Sequence, residues 1–249
     1  MDDSSSSPTE NNTFEVGTKP PPALLDLAVS VRSLAARMVR IDSGGEVLGE
    51  VRAQIESLGE RLEGIARKGA DPRVLSSIEP GPEDLRPYYP SDASTWHCNP
   101  IFPPLEVEVS GNVVRGHLNL DLAYEGPPGC IHGGVVSLIF DQLLGHANGV
   151  YGTWGMTAEL KVTYHRPTPL FTDLEFEAQV ERVEDRKVTT RGWLACNGKR
   201  TASAVGLFIR PVFDSERTSW LLGDEQVARI RAHRAEGSVA DGADREAED

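Results

Sequence analysis

The residues best suited to chemistry lie in one run, Gly129-Cys130-Ile131-His132-Gly133-Gly134-Val135-Val136-Ser137-Leu138-Ile139-Phe140-Asp141. Glycines at the start of a helix let a ligand approach the backbone, and first-turn N–H groups are unpaired donors at the positive end of the helix dipole. Such a turn suits an oxyanion. Asp141 follows His132 by nine residues, about two and a half helical turns. It stands between Ile139, Phe140, Leu143 and Leu144, and an acid in so apolar a helix is either paired, functional or turned to solvent. Taken singly, His-Gly-Gly also fits an ordinary loop. Cys130 and His132 are two residues apart in a loop, a poor arrangement for a thiol and its base, and no G-x-S-x-G elbow occurs.

The elements that position this run follow from periodicity. The apolar stretch Val135 to Leu144 is long enough for a helix. Before it, Leu105, Val107 and Val109 alternate with acids, Gly111-Asn112 is a hairpin turn, and Val114, Leu118 and Leu120 continue beyond it. After it come strand-like segments over Met156 to Arg166, Leu174 to Val183, Val188 to Cys196 and Arg200 to Ile209. A hairpin, one helix and four consecutive strands predict an α+β fold, an antiparallel sheet with a single central helix. Alternation along the first of those four strands predicts Thr157, Thr163 and His165 on one face, and Ala158, Leu160, Val162 and Tyr164 on the other.

The run and that strand together resemble the hotdog-fold acyl-CoA thioesterases of the phenylacetyl-CoA thioesterase type, in which H-G-G opens the central helix and an acid follows at this spacing. Sixteen residues past Asp141 begins Thr157-Ala158-Glu159-Leu160-Lys161-Val162-Thr163-Tyr164-His165-Arg166-Pro167. It resembles the T-A-x-L-x-V-x-Y-x-R-P strand of that family, especially of its branch called thioesterase superfamily members. Val183-Glu184-Asp185-Arg186-Lys187 resembles the turn before the next strand there. The resemblance spans roughly residues 104–210.

The resemblance implies a hotdog fold and hydrolysis of acyl-CoA thioesters to a free fatty or aryl acid and coenzyme A, using water, with no metal and no organic cofactor. It assigns carbonyl polarisation to the Gly133 N–H, supported by His132 and Gly134. Asp141 becomes the base that activates water or the nucleophile, and Thr157 orients the water or the carboxylate. Thr163, His165, Arg186 and Lys187 match positions that contact coenzyme A. In this family the site lies between subunits, which implies a homodimer or a dimer of dimers. Two departures stand out. Gly126 and a Gly-Pro-Pro-Gly loop replace the asparagine that assists catalysis in the phenylacetyl-CoA enzymes, and His165 stands where a coenzyme-binding lysine is found, making one charge pH-dependent.

The rest of the chain is organised around this unit. Residues 1–19 are polar and acidic, the composition of a disordered tail. Over residues 20–70, Leu24, Leu27, Val31, Leu34, Met38 and Ile41 fall three and four apart, as do Leu48, Val51, Ile55, Leu58, Leu62 and Ile65 after Gly44-Gly45. Two amphipathic helices in a helical hairpin are predicted, the second opened by a Ser43/Glu46 capping box. Residues 71–103 are expected to form an irregular Pro-rich linker anchored to a surface by Tyr88, Tyr89, Trp96 and Phe102, residues 104–213 the hotdog domain, and residues 214–249 a short helix (Gln226 to His233) and an acidic tail.

Composition sets the outer limits. In 249 residues, 25 basic and 38 acidic side chains give a formal charge of −13, which argues against nucleic acid and anionic membrane as partners. Residues 1–16 and 236–249 supply −9 of it, so the remaining chain does not repel a small anionic thioester; His165, Arg166, Arg186 and Lys187 are expected to converge into a local basic patch for the coenzyme A phosphates. Three cysteines without a C-x-x-C pair, and an N-terminus without signal or transit features, predict a cytoplasmic protein, and the longest uncharged stretch, Gln142 to Ala158, is too interrupted by glycines and polar residues for a membrane span. Three rivals accompany the thioesterase reading. An acyl thioester dehydratase usually pairs a His and an acid differently. An acyl-CoA-sensing repressor needs a basic reading unit, whereas residues 20–70 balance seven bases with seven acids. The third is a non-catalytic acyl-CoA-binding hotdog protein.

Overall fold

The computed structural model describes residues 22–65, 97–153 and 155–210. The expected tails, most of the linker with Tyr88, Tyr89 and Trp96, and the helix at Gln226 lie outside them. The described elements are α1 (Pro22–Met38), α2 (Glu46–Glu63), β1 (Glu106–Ser110), β2 (Val113–Leu118), a 3₁₀ turn (Leu122–Tyr124), α3 (Gly133–Val150), β3 (Met156–Tyr164), β4 (Leu174–Glu184), β5 (Lys187–Cys196) and β6 (Lys199–Ile209).

The six strands form one sheet in the order β1-β2-β4-β5-β6-β3, with every pairing antiparallel. The β1–β2 hairpin turns at Gly111, whose φ of 59° is the left-handed conformation such a turn requires. Helix α3 lies across the sheet and touches β2, β4, β5, β6 and β3. Its buried residues, Val136, Ile139, Phe140, Leu143, Leu144, Ala147 and Asn148, recur at helical spacing and form its sheet-facing side. Phe140 meets Phe176 of β4 edge-on, with ring centroids 5.3 Å apart; each such fully buried side chain contributes about 1.5–3 kcal/mol from area alone. One antiparallel sheet around one central helix is the hotdog architecture. Phe102, from the predicted linker, is buried in the same core.

Three local expectations change. Helix α3 runs six residues beyond Leu144, through Gly145 and Gly149, because Ala147 and Asn148 are fully buried against the sheet and tertiary burial outweighs glycine's modest helix cost. Helix α2 begins after Gly45, which has no side-chain cap, so the Ser43/Glu46 box does not form. The parity of β3 also breaks. A β-bulge between Thr157 and Glu159 inserts one residue and shifts the alternation. Thr157, opposite Phe208, therefore shares the α3-facing side with Leu160, opposite Gly206, and with Tyr164, opposite Ala202. Thr163, opposite Ser203, lies on the outer side, and His165 reaches that same Ser203.

In the N-terminal region, α1 rests on the 3₁₀ turn with Ala28 buried. Arg32 donates to the carbonyls of His97 and Asn99 at 3.0 and 3.1 Å. None of the residues of α2 is buried in the single chain.

Candidate active site

His132 is the N-cap of α3, with φ −60° and ψ 131°, and its Nδ1 accepts from the Gly134 N–H at 3.0 Å. With Nδ1 accepting, the neutral ring carries its proton on Nε2, which is left as a donor. The His132 N–H donates to the Tyr124 carbonyl at 2.9 Å, and the His132 carbonyl accepts from Val135 and Val136. The first helical residue is thus Gly133, and among the described residues its N–H has no hydrogen-bond partner.

Each glycine of the turn has a steric reason. A Cβ on Gly134 would stand 3.0 Å from His132 Nδ1, and one on Gly133 would stand 3.3 Å from the Tyr164 hydroxyl. The preceding loop closes on the same point: Gly126 N–H donates to the Cys130 carbonyl at 2.9 Å, Gly129 N–H to Glu125 Oε1 at 2.7 Å. A Cβ on Gly126 would fall 2.7 Å from His132 Cα. This backbone has no room for the asparagine of the phenylacetyl-CoA enzymes.

Asp141 is half-buried two turns along α3. Its Oδ1 accepts from Thr157 Oγ1 at 2.8 Å, so the acid is held at the beginning of β3. At the far end of the same strand, the Tyr164 hydroxyl donates to the Gly133 carbonyl at 2.7 Å and lies 2.7 Å from Ser137 Oγ. Tyr164 and Ser137 were not singled out by sequence reasoning, which placed Tyr164 only on a core-facing side. A tyrosine ending an apolar strand face, with a polar tip that needs a partner, was the available signal.

The predicted coenzyme-contacting residues divide into two groups. Thr163 and His165 sit at the Tyr164 end of β3, with His165 Nε2 2.9 Å from Ser203 Oγ. Arg186 and Lys187 sit at the opposite end: Lys187 is level with Ile209, and Arg186 Nε donates to the Arg210 carbonyl at 3.0 Å. Ser203 and Ile209 are six residues apart on β6, about 20 Å. Within one chain, the expected convergence of His165, Arg166, Arg186 and Lys187 into one basic patch does not occur.

Gly133 and Asp141 are likewise separated, by eight residues of one helix, about 12 Å along its axis. A thioester carbonyl cannot touch both within a single chain. Among the described residues no group of three or more His, Cys, Asp or Glu side chains is gathered to hold a metal ion, and no helix is long and apolar enough to cross a membrane.

Known proteins align on this same region. The family model described as the thioesterase superfamily matches residues 128–197, from the His-Gly-Gly loop to the end of β5. The chain is 45% identical over 67 residues to the acyl-coenzyme A thioesterase THEM4 of Xenopus laevis, covering 26% of this chain and 30% of that protein. It is 34% identical over 101 residues to the THEM4 of Bos taurus, covering 38% and 39%. The matched segment spans less than half the length of these curated relatives. A crystal structure of a protein described as a thioesterase superfamily protein superposes with a TM-score of 0.67 at 34% identity, covering 78% of this chain and 94% of that one. With that identity sustained over nearly the whole of a solved member, this chain belongs to the thioesterase superfamily.

Proposed function

We propose that the protein hydrolyses acyl-CoA thioesters to a carboxylic acid and coenzyme A, at a site completed by a second copy of the chain. The carrying observation is that the two halves of the machinery are tied to opposite ends of one edge strand: Asp141 through Thr157 at the start of β3, and Gly133 through Tyr164 at its end. Strand β3 is an outer strand of the sheet, with a row of backbone groups open to pairing. A two-fold, antiparallel pairing of β3 with its copy exchanges the ends, so Asp141 of one copy approaches Gly133 of the other. The same operation carries Thr163 and His165 of one copy toward Arg186 and Lys187 of the other, assembling the basic surface that one chain leaves divided.

In this site the Gly133 N–H, at the positive end of α3, and His132 Nε2–H face the thioester oxygen and stabilise the charge that develops there. Asp141, oriented by Thr157, takes the proton from a water that attacks the carbonyl carbon and passes it to the departing sulfur, or attacks the carbon directly to give a mixed anhydride that a water then cleaves, that water supplying the acid's oxygen and the thiol's proton. The sulfur leaves as the coenzyme A thiol. Acyl-coenzyme A as substrate agrees with the THEM4 thioesterases aligned over this segment. The three unpaired thiols, Cys98, Cys130 and Cys196, agree with a reducing, cytoplasmic setting.

The test is release of free thiol from a panel of acyl-CoAs of increasing chain length, with Asp141→Asn as the control. Hydrolysis of at least one member, lost in the variant, is expected. A wild type inactive on the whole panel, or an Asp141→Asn protein as active as wild type, would overturn the proposal.

A further inference from the structure

We infer that Tyr164 is a positioning residue for the carbonyl-polarising turn, acting through an aligned chain of hydrogen bonds that ends on His132. The inference rests on the thioesterase reading above. The Tyr164 hydroxyl spends its proton on the Gly133 carbonyl, at 2.7 Å, so Ser137 Oγ, also at 2.7 Å, is the donor to Tyr164. The Gly133 carbonyl belongs to the same peptide unit as the Gly134 N–H, which donates to His132 Nδ1 at 3.0 Å. The bonds therefore all run in one direction, from Ser137 to Tyr164, to the Gly133–Gly134 peptide, to His132.

Aligned bonds polarise one another. A peptide that accepts at its oxygen donates more strongly from its nitrogen, and an imidazole that accepts at Nδ1 becomes a better donor at Nε2. The chain thus enhances the donor aimed at the developing oxyanion while touching neither substrate nor reacting atoms. It also fixes geometry. Gly133 and Gly134 leave the turn without side chains of its own, and Tyr164 pins it to the last residue of β3.

A bond that strengthens oxyanion stabilisation changes kcat, whereas one that only holds the fold together changes binding and stability as well. The test compares wild type with Tyr164→Phe, which keeps the ring and removes the hydroxyl. Three quantities are read: kcat, KM, and the Kd of a thioether analogue of acyl-CoA that has no carbonyl. The expected result is a fall in kcat of roughly five- to tenfold, the worth of one hydrogen bond, with KM and the thioether Kd within about twofold of wild type. Ser137→Ala, which removes the first donor without altering β3, should lower kcat by a smaller factor in the same pattern. It decides the matter should Tyr164→Phe fail to fold.

Two results would overturn the inference: an unchanged kcat in an active enzyme, or a loss of thioether affinity as large as the loss of kcat. A wild type with no thioesterase activity would overturn the functional reading itself and this inference with it; an active wild type matched by Tyr164→Phe removes only the inference.

Discussion

Thr157 Oγ1 donates to Asp141 Oδ1 across 2.8 Å, joining the start of an edge strand to the middle of the central helix. The bond fixes the rotamer of an acid that is otherwise surrounded along its helix by the fully buried Ile139, Phe140, Leu143 and Leu144. Replacing Thr157 with Val keeps the shape and removes the donor, so kcat should fall by roughly ten- to a hundredfold, the cost of a hydrogen bond to a charged group. Thr157→Ser should retain most activity. Steady-state kinetics on the preferred acyl-CoA check both; equal activity of the Val and Ser variants would contradict a role for the hydroxyl.

Gly133→Pro removes a backbone donor and adds a Cβ 3.3 Å from the Tyr164 hydroxyl, and Gly133→Ala adds that Cβ while keeping the donor. Gly133 is the first helical residue of α3, and His132 before it has φ −60° and ψ 131°, a conformation compatible with a following proline. Proline is itself favoured at that helical position. Gly133→Pro should therefore fold, with a circular dichroism spectrum like wild type, and lose roughly 10²–10³ in kcat relative to Gly133→Ala, the usual cost of one oxyanion donor. Retention of wild-type kcat would show that the Gly133 N–H does not face the thioester oxygen.

Gly126 tests the packing beneath the turn. Its missing Cβ would lie 2.7 Å from His132 Cα and 3.1 Å from His132 Cβ, and both neighbours are fixed by backbone hydrogen bonds. Gly126→Ala should destabilise the protein by about 1–3 kcal/mol, the range for overpacking, and lower activity by moving the turn. Denaturant unfolding provides the measurement, and an unchanged midpoint would contradict the steric account.

Partial desolvation of the exposed His97 imidazole, with the nearby Arg32 guanidinium, pushes it below its ordinary value of 6.5, against a smaller opposing effect of Glu106. The unfolded chain then binds more protons than the folded one once the pH drops below that value. The stability His97 contributes is full above pH 6.5 and is lost as the pH falls through its folded value. Thermal midpoints measured from about pH 8 down to about pH 5 should fall less steeply in His97→Gln than in wild type. Parallel curves would count against it.

Much of this was legible in the sequence because local patterns and tertiary demands agree. The apolar spacing of Val136, Ile139, Phe140, Leu143 and Leu144 gives a helix with one buried side, and Gly111-Asn112 gives a hairpin. The errors came where a single extra residue or a long-range partner decides the outcome. The bulge at Ala158 reversed the facing of Thr157 relative to Thr163, and nothing in the residue types of that strand announces it. The separation of His165 from Arg186 depends on the register of β3, β6 and β5, which periodicity does not fix. Alternation places Tyr164 on the core-facing side and no more; its hydroxyl acquires a role only once α3 lies across β3.

The central claim is that Asp141 of one copy works with Gly133 of another, and mixing two inactive variants tests it most directly. Asp141→Asn and Gly133→Pro proteins, each assayed alone, should release little thiol from acyl-CoA. Unfolded together and refolded as an equal mixture, random two-fold pairing makes half the dimers mixed, each with one intact site, so activity should return to about a quarter of wild type. A mixture no more active than its components, formed under conditions where mixed dimers are present, would contradict a site shared between two copies.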